Sequence, residues 1–289
     1  TKKKIITLKK SNQDMATYNS NSDSRPNIGW MFYKDYFKKV KYGNITNDKV
    51  IEANDAKLIK EKNKKIIDSK WVQVKDGLGD PSQSFLLKVT YPGLVTGIGL
   101  SHEAGVEGEL KMGLHFDYTF GQPVIHGSSV KGLLRSVFPK GERDKHAEAK
   151  FNFLQKELNK LLKKEFSSEE IKLLELEIFE GKRRDGTLID IYHRDIFFDA
   201  IMDEGNQNNR ILESDSITPH GSNPLKNPIP LPFLKISSGC IIQFRFDLHP
   251  GILEIKEKIT LFTEIFKTLG IGAKTNVGYG QFDDSSVEN

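Results

Sequence analysis

The sequence predicts an α+β fold, and three observations carry that reading. Apolar residues alternate at period two over Phe85, Leu87, Val89 and Tyr91, over Leu110, Met112, Leu114 and Phe116, and over Ile242, Phe244, Phe246 and Leu248, the pattern of half-buried strands. Two other stretches carry helical spacing: Val130, Leu133, Leu134, Val137 and Phe138, then Ile255, Ile259, Phe262, Phe266 and Leu269. The second of these runs straight into a glycine-rich loop, Gly270-Ile271-Gly272-Ala273-Lys274-Thr275-Asn276-Val277-Gly278-Tyr279-Gly280. In chain order, strand, loop, helix, strands with a long excursion, strand, helix and a last short strand at Tyr279 to Phe282 form a split βαβ pattern of the ferredoxin-like type.

Composition bounds the function classes. With 37% hydrophobic and 28% charged residues and no apolar run of membrane-spanning length, the chain reads as globular, with no membrane partner. Its basic start lacks an apolar signal core, and Cys240 is the single cysteine. Disulfide frameworks and cysteine zinc sites are thereby excluded, and a cytoplasmic location is expected. Net charge is +4, but residues 1–75 hold 18 Lys/Arg against 8 Asp/Glu, a balance of +10, leaving −6 for the remainder. A basic front end suits a polyanion partner, although lysine-rich solvated surface explains it equally.

The elements follow in order. Residues 1–27 read as a loose polar arm. From Ile28 to Tyr42, Trp30, Phe32, Tyr33, Tyr36, Phe37 and Tyr42 interleave with lysines; this is an aromatic face packed on the body, or a surface that stacks bases. Residues 49–70 look like a solvated helix or linker. We divide the chain into a basic, aromatic N-terminal segment (1–83) and a main domain (84–289). Residues 141–181 form a helical hairpin insertion, with Ser167 and Glu170 as a capping box and Gly181 as its end. A strand-like stretch follows through Leu188, Ile189 and Ile191, and residues 203–232 form a polar, proline-rich excursion.

Two stretches hold the candidate chemistry. The glycine loop offers close backbone approach with Lys274, Thr275 and Asn276 as charge and short hydrogen-bonding groups, a combination suited to a phosphate backbone. It is neither a Walker A loop, because Ala273 precedes the lysine, nor a dinucleotide fingerprint, because Thr275 stands where the third glycine belongs. A helix C-cap at Gly270 leading into a glycine-rich turn accounts for the same residues. The second stretch is the serine-capped helix after His126, whose polar face carries Lys131 and Arg135; an anion near its N-terminus or simple solvation explains that pair. The pairs His115/Asp117 and His193/Asp195 lack a third ligand and read as hydrogen-bonded pairs, and Asp199, Asp203 and Glu204 read as solvated acids. No metal and no cofactor are expected.

The run Ile125-His126-Gly127-Ser128-Ser129-Val130-Lys131-Gly132, taken with the late glycine loop, resembles the CRISPR-associated RAMP superfamily. Including Gly29-Trp30-Met31-Phe32, the whole chain is most similar to the sixth-subunit family of the Cmr, or type III-B, effector complex. That resemblance implies a modified RNA-recognition fold, stacked beside other Cmr RAMP subunits along a guide RNA toward its 3′ end, helping to bind target single-stranded RNA. It makes residues 203–232 the candidate for a thumb-like excursion. The residues expected to contact guide or target RNA are His126, Ser128, Lys131, Arg135, His220, Gly272, Lys274, Thr275, Asn276 and Gly278, the glycines for close backbone approach, the cations for phosphate and the short polar groups for hydrogen bonds. Other RAMP proteins cut RNA, so His102 and Glu103 in the early glycine loop stand as the alternative acid-base pair; no aspartate occupies that loop, and the expectation is a non-catalytic protein. An assembly protein with incidental RNA contact is the third reading.

Overall fold

The computed structural model describes residues 27–74, 77–96, 104–110, 114–141, 144–218 and 230–283. His102, Glu103 and His220 lie outside these, as does the polar arm up to residue 26.

The described chain starts with a helical turn, α1 (Ile28–Trp30), that widens into a π turn over Met31–Asp35. After α2 (Gly43–Thr46) comes α3 (Lys49–Ile67), capped by the Asp48 carboxylate on Val50 N and Ile51 N. The aromatic run is mainly a packing face: Phe32 and Tyr36 are fully buried, and the Phe32 ring lies 5.5 Å from that of Phe116. Tyr36 donates its hydroxyl to Asn63 Oδ1 at 2.5 Å and accepts from Leu110 N at 3.1 Å. Contrary to expectation, α3 is not merely solvated. It buries Ile59 and Ile66 together with Asp55 and Lys62. Those two charges are satisfied chiefly by main chain: Asp55 accepts from Lys41 N and Gly43 N, and Lys62 donates to the carbonyls of Asp35 and Lys38, with the Asp35 carboxylate 3.4 Å from its ammonium.

From residue 84 the chain runs β1 (Ser84–Lys88), β2 (Val124–Ile125), α4 (Gly127–Ser136), α5 (Ala147–Leu162), α6 (Ser168–Glu175), β3 (Ile196–Phe197), β4 (Ala200–Glu204), β5 (Leu212–Ile217), β6 (Leu231–Ile236), β7 (Ile241–Asp247) and α7 (Ile255–Leu269). One sheet has the order β1-β7-β4-β2, antiparallel throughout, and β3 pairs with β7 beyond the end of β4. A bridge between Val89 and Phe282 sets the final segment beside β1. The order final segment, β1, β7, β4, with α4 between β1 and β4 in the chain and α7 between β7 and the final segment, matches the interleaved split βαβ arrangement expected. Ile242 of β7 is buried, and Phe244 and Phe246 meet α7 through Phe266 and Phe262, the Phe244–Phe266 rings standing 4.3 Å apart.

Leu110, Leu114 and Phe116 are buried as their alternation requires, and a bridge joins Phe116 to Pro123; residues 111–113, the middle of that expected strand, lie outside the described residues. Two expectations need correction. The stretch around Leu188 to Ile191 exposes Leu188 and Ile191, with Ile189 half-buried, and turns through a 3-10 helix at Ile191–His193; the strand begins only at Ile196. Within the excursion, β5 and β6 pair as a ribbon from Leu212↔Ile236 to Ile217↔Leu231, with residues 219–229 outside the described chain. Pro232 sits within β6 opposite Ser216, in the alternation of Ile236, whose N–H and C=O face Leu94, so its missing donor points away from β5 and costs the ribbon no bond.

The insertion forms as read. Leu154 and Leu158 of α5 are buried, and Ser167 and Glu170 make the reciprocal capping box of α6. Beneath α7, the Lys258 ammonium is buried and paired with Asp195 Oδ2 at 2.6 Å, while donating to His249 O at 2.7 Å. Asp195 therefore locks the entry to β3 rather than pairing with His193. Removing one partner of such a pair strands the other charge, so Asp195→Ala should cost about 3–5 kcal/mol in urea unfolding. The double change Asp195→Leu with Lys258→Met should recover part of that loss.

Candidate nucleic-acid interface

The first candidate helix and the glycine loop meet. A cleft of ≈ 280 Å³ lies between them, lined by Leu94, Thr96, His115, His126, Ser129 and Gly272 among others. Each wall has an identifiable cause.

The α4 wall is set from the sheet. Between the pairs Phe197↔Phe246 and Ile201↔Gln243, the β3–β4 segment carries one residue more than β7, a bulge that turns Asp199 outward. Buried Arg245 on β7 holds the bulge by donating from Nη2 and Nε to Asp199 O at 3.0 and 3.3 Å. The Asp199 carboxylate then accepts from Gly127 N at 2.7 Å and lies 3.4 Å from His126 Nδ1. Thus α4 is capped by Asp199, a distant carboxylate, and not by serine. Ser128 lies exposed in the first turn, because the helix begins two residues earlier than a Ser128 cap implied. A side chain at 127 is barred, since a Cβ there would stand 2.1 Å from Phe197 O.

The opposite wall is main chain. Ala273 N donates to Val95 O at 2.8 Å, Ile271 N to Gly280 O at 2.9 Å, and Gly280 N to Gly93 O at 2.8 Å. A Cβ on Gly272 would be 2.3 Å from Val95 O, and one on Gly280 1.9 Å from Ile271 O. The close approach that these glycines permit is made within the protein, and Gly272 also lines the cleft. After Gly272, Lys274 takes a left-handed conformation (φ 63°), Thr275–Val277 form a 3-10 turn, and Gly278 (φ 96°) closes it. Asn276 is exposed, while Lys274 and Thr275 are half-buried.

On the cleft floor the rings of His115 and His126 stand 4.4 Å apart, and His115 N donates to Thr96 Oγ1 at 3.1 Å. Burial, with a smaller push from His126 and partial opposition from Asp199, holds the His115 imidazole below the usual histidine range. Two imidazoles, hydroxyls and the first turn of a helix make a polar surface fit for hydrogen bonds to phosphate or ribose. Among the described residues, no group of three or more His, Cys, Asp or Glu is placed to hold a metal ion.

The other predicted residues divide. Lys131 stands one turn into α4 with its ammonium 5.6 Å from the Phe197 ring centre. Arg135 is not at the cleft: it ion-pairs with Glu175 at 2.7 Å and Glu180 at 2.6 Å, tying α4 to the insertion. Asp117 caps its own turn through Thr119 N and Phe120 N, so His115 is separated from its sequence neighbour and joined to His126. Sequence reasoning missed Thr96 and the role of Asp199; His115 was noted only for its spacing to Asp117.

A family model described as the RAMP superfamily matches residues 86–283. No curated protein sequence matches. Among solved structures, the chain is similar to one described as a cryo-EM structure of the type III-B Cmr-beta complex bound to cognate target RNA, at 18% identity and TM-score 0.47, covering 83% of this chain and 72% of that one. It is also similar to Cmr6 from Pyrococcus furiosus, at 23% identity and TM-score 0.42, covering 69% and 95%. A type IV-B CRISPR complex chain gives 11% identity and TM-score 0.36, covering 71% and 91%. The split βαβ sheet with its glycine-loop cleft and the family match define the class, and the chain belongs to the RAMP superfamily. No described helix is long and apolar enough to cross a membrane.

Asp199→Ala removes the carboxylate that caps α4 and should lower stability by about 1 kcal/mol in urea unfolding. Burial makes the neutral form of His115 the favoured one in the folded state, so its contribution is complete above the unfolded histidine pKa of about 6.5 and is lost as pH falls below it. His115→Gln should flatten the acid side of the stability profile.

Proposed function

We propose that the chain is a non-catalytic RNA-binding backbone subunit of a type III-B, RNA-guided interference complex. It contacts guide RNA toward its 3′ end beside other RAMP subunits and helps to bind target RNA. The observation that carries this reading is the cleft itself, which joins the start of α4 to the glycine loop, the two stretches singled out as phosphate and ribose contacts. The contact set is His126, Ser128, Lys131, Gly272, Lys274, Thr275 and Asn276, extended by His115. Arg135 is withdrawn from it, since its guanidinium already serves two glutamates.

The histidine pair raises the rival reading, ribonuclease activity. In-line cleavage by two imidazoles places the general base and general acid on opposite sides of the scissile phosphate. Rings 4.4 Å apart are in contact and leave no room for a phosphate between them, which favours the binding role.

A salt-series gel shift on single-stranded RNA, with this chain alone and with partner subunits, tests the proposal. Lys274→Ala and Lys131→Ala should each weaken binding and reduce the log–log salt slope by about 1, whereas Arg135→Ala should leave the slope unchanged. A phosphate in the cleft would raise the His115 pKa, so affinity should increase as pH falls from about 7.5 to about 5.5, and His115→Gln should remove that dependence. Unchanged RNA affinity in both lysine variants would favour the assembly reading, and intact RNA in a denaturing lane is expected throughout.

A further inference from the structure

We propose that Tyr91 is a base-stacking platform, receiving a nucleobase of single-stranded RNA beside the glycine loop while Lys274 takes the adjoining phosphate. This rests on the RNA-binding reading above and names a contact that lies outside the cleft.

Tyr91 is 85% exposed at the tip of a tight turn in which Gly93 N donates to Thr90 O at 2.8 Å. The turn is fixed at both ends to the glycine loop's exit. Thr90 N and Oγ1 donate to Gln281 O at 3.0 and 3.1 Å, and Gly280 N donates to Gly93 O. Its neighbour Pro92 brings Cδ within 3.5 Å of where a Cβ on Gly278 would stand, so Tyr91-Pro92 and Val277-Gly278 lie side by side. Val277 is itself 62% exposed and extends the apolar surface. Burial, the hydrogen bond to Asp215 and that group's charge push the neighbouring Tyr279 phenol up to about 12, with a further contribution from Tyr91 that places it in the same neighbourhood.

An aromatic ring held in water on an anchored turn gains little from folding, but its backbone is fixed and tyrosine has only two side-chain torsions, so little freedom is lost when it stacks on a base. The surroundings select the ligand. Within the turn at Tyr91 and the glycine loop, the large exposed apolar groups are the Tyr91 ring and Val277, about the footprint of a base, and the same loop is cationic and polar through Lys274 and Asn276. The Lys274 main chain is fixed by bonds from Val277 N and Tyr279 N to its carbonyl at 3.1 and 3.3 Å. Charge and π surface thus come from one rigid unit, as single-strand binding requires.

The test is fluorescence anisotropy of labelled single-stranded RNA on the full chain, repeated with partner subunits present. Tyr91→Ala should weaken binding roughly 5- to 100-fold, the range of one lost stacking contact, with the salt slope unchanged. Tyr91→Trp should bind as well as the parent, and Tyr91→Leu as poorly as the alanine variant. Parent-like affinity in Tyr91→Ala or in Tyr91→Leu overturns the stacking platform while leaving the RNA-binding reading intact. Failure of the unaltered chain to bind RNA under both conditions overturns the two together.

Discussion

The structure depends on a contact between two backbones. The glycine loop is seated on the segment Gly93–Val95, main chain against main chain, and at positions 272 and 280 any β-carbon would collide with a carbonyl oxygen. The other edge of that segment is paired with β6 through reciprocal bonds between Leu94 and Ile236 at 3.0 and 2.8 Å. One backbone seam therefore fastens the end of α7, the end of the first strand region and the β5–β6 ribbon. A side-chain network reinforces it. Asp215 on β5 accepts from Tyr279 of the loop and from buried Lys235 of β6, each at 2.8 Å. Burial opposes ionisation of Asp215, but those bonds win and hold its carboxyl below the usual range.

The second constraint runs through the sheet to the other wall. Arg245 fixes the bulge, the bulge aims Asp199, and Asp199 caps α4 and flanks His126. A carboxylate at a helix N-terminus satisfies the dipole that an incoming phosphate would otherwise use. The cleft consequently offers hydroxyls, imidazoles and nearby lysines more than a bare anion hole. That composition suits a ligand that brings ribose as well as phosphate.

Much of this was legible in the sequence. Alternation located β1 and β7, helical spacing located α4 and α7, and the capping box at Ser167 located α6, because each is a local signal set by burial of one face. What escaped was long-range. The alternation at Leu110 to Phe116 marked buried residues on either side of residues 111–113, which lie outside the described ones. Pairing partners, which no local signal announces, made a ribbon of a proline-rich stretch. In the site, Gly272 and His126 were named and do meet across one cleft. Arg135 was indistinguishable from Lys131 by spacing, and only the insertion, folding back with Glu175 and Glu180, separates them. Asp199 and His115 lie 73 and 11 residues from His126 in chain order and are joined to it solely by the fold.

The measurement that tests the central claim most directly is ultraviolet cross-linking of the assembled RNA-bound complex, followed by mass spectrometry of the peptides from this chain. If the cleft and its loop are the RNA interface, adducts will concentrate in peptides spanning His115 to Lys131 and Ile271 to Gly280. Adducts confined to the helical insertion or to α3, with the cleft peptides unmodified, would contradict the account.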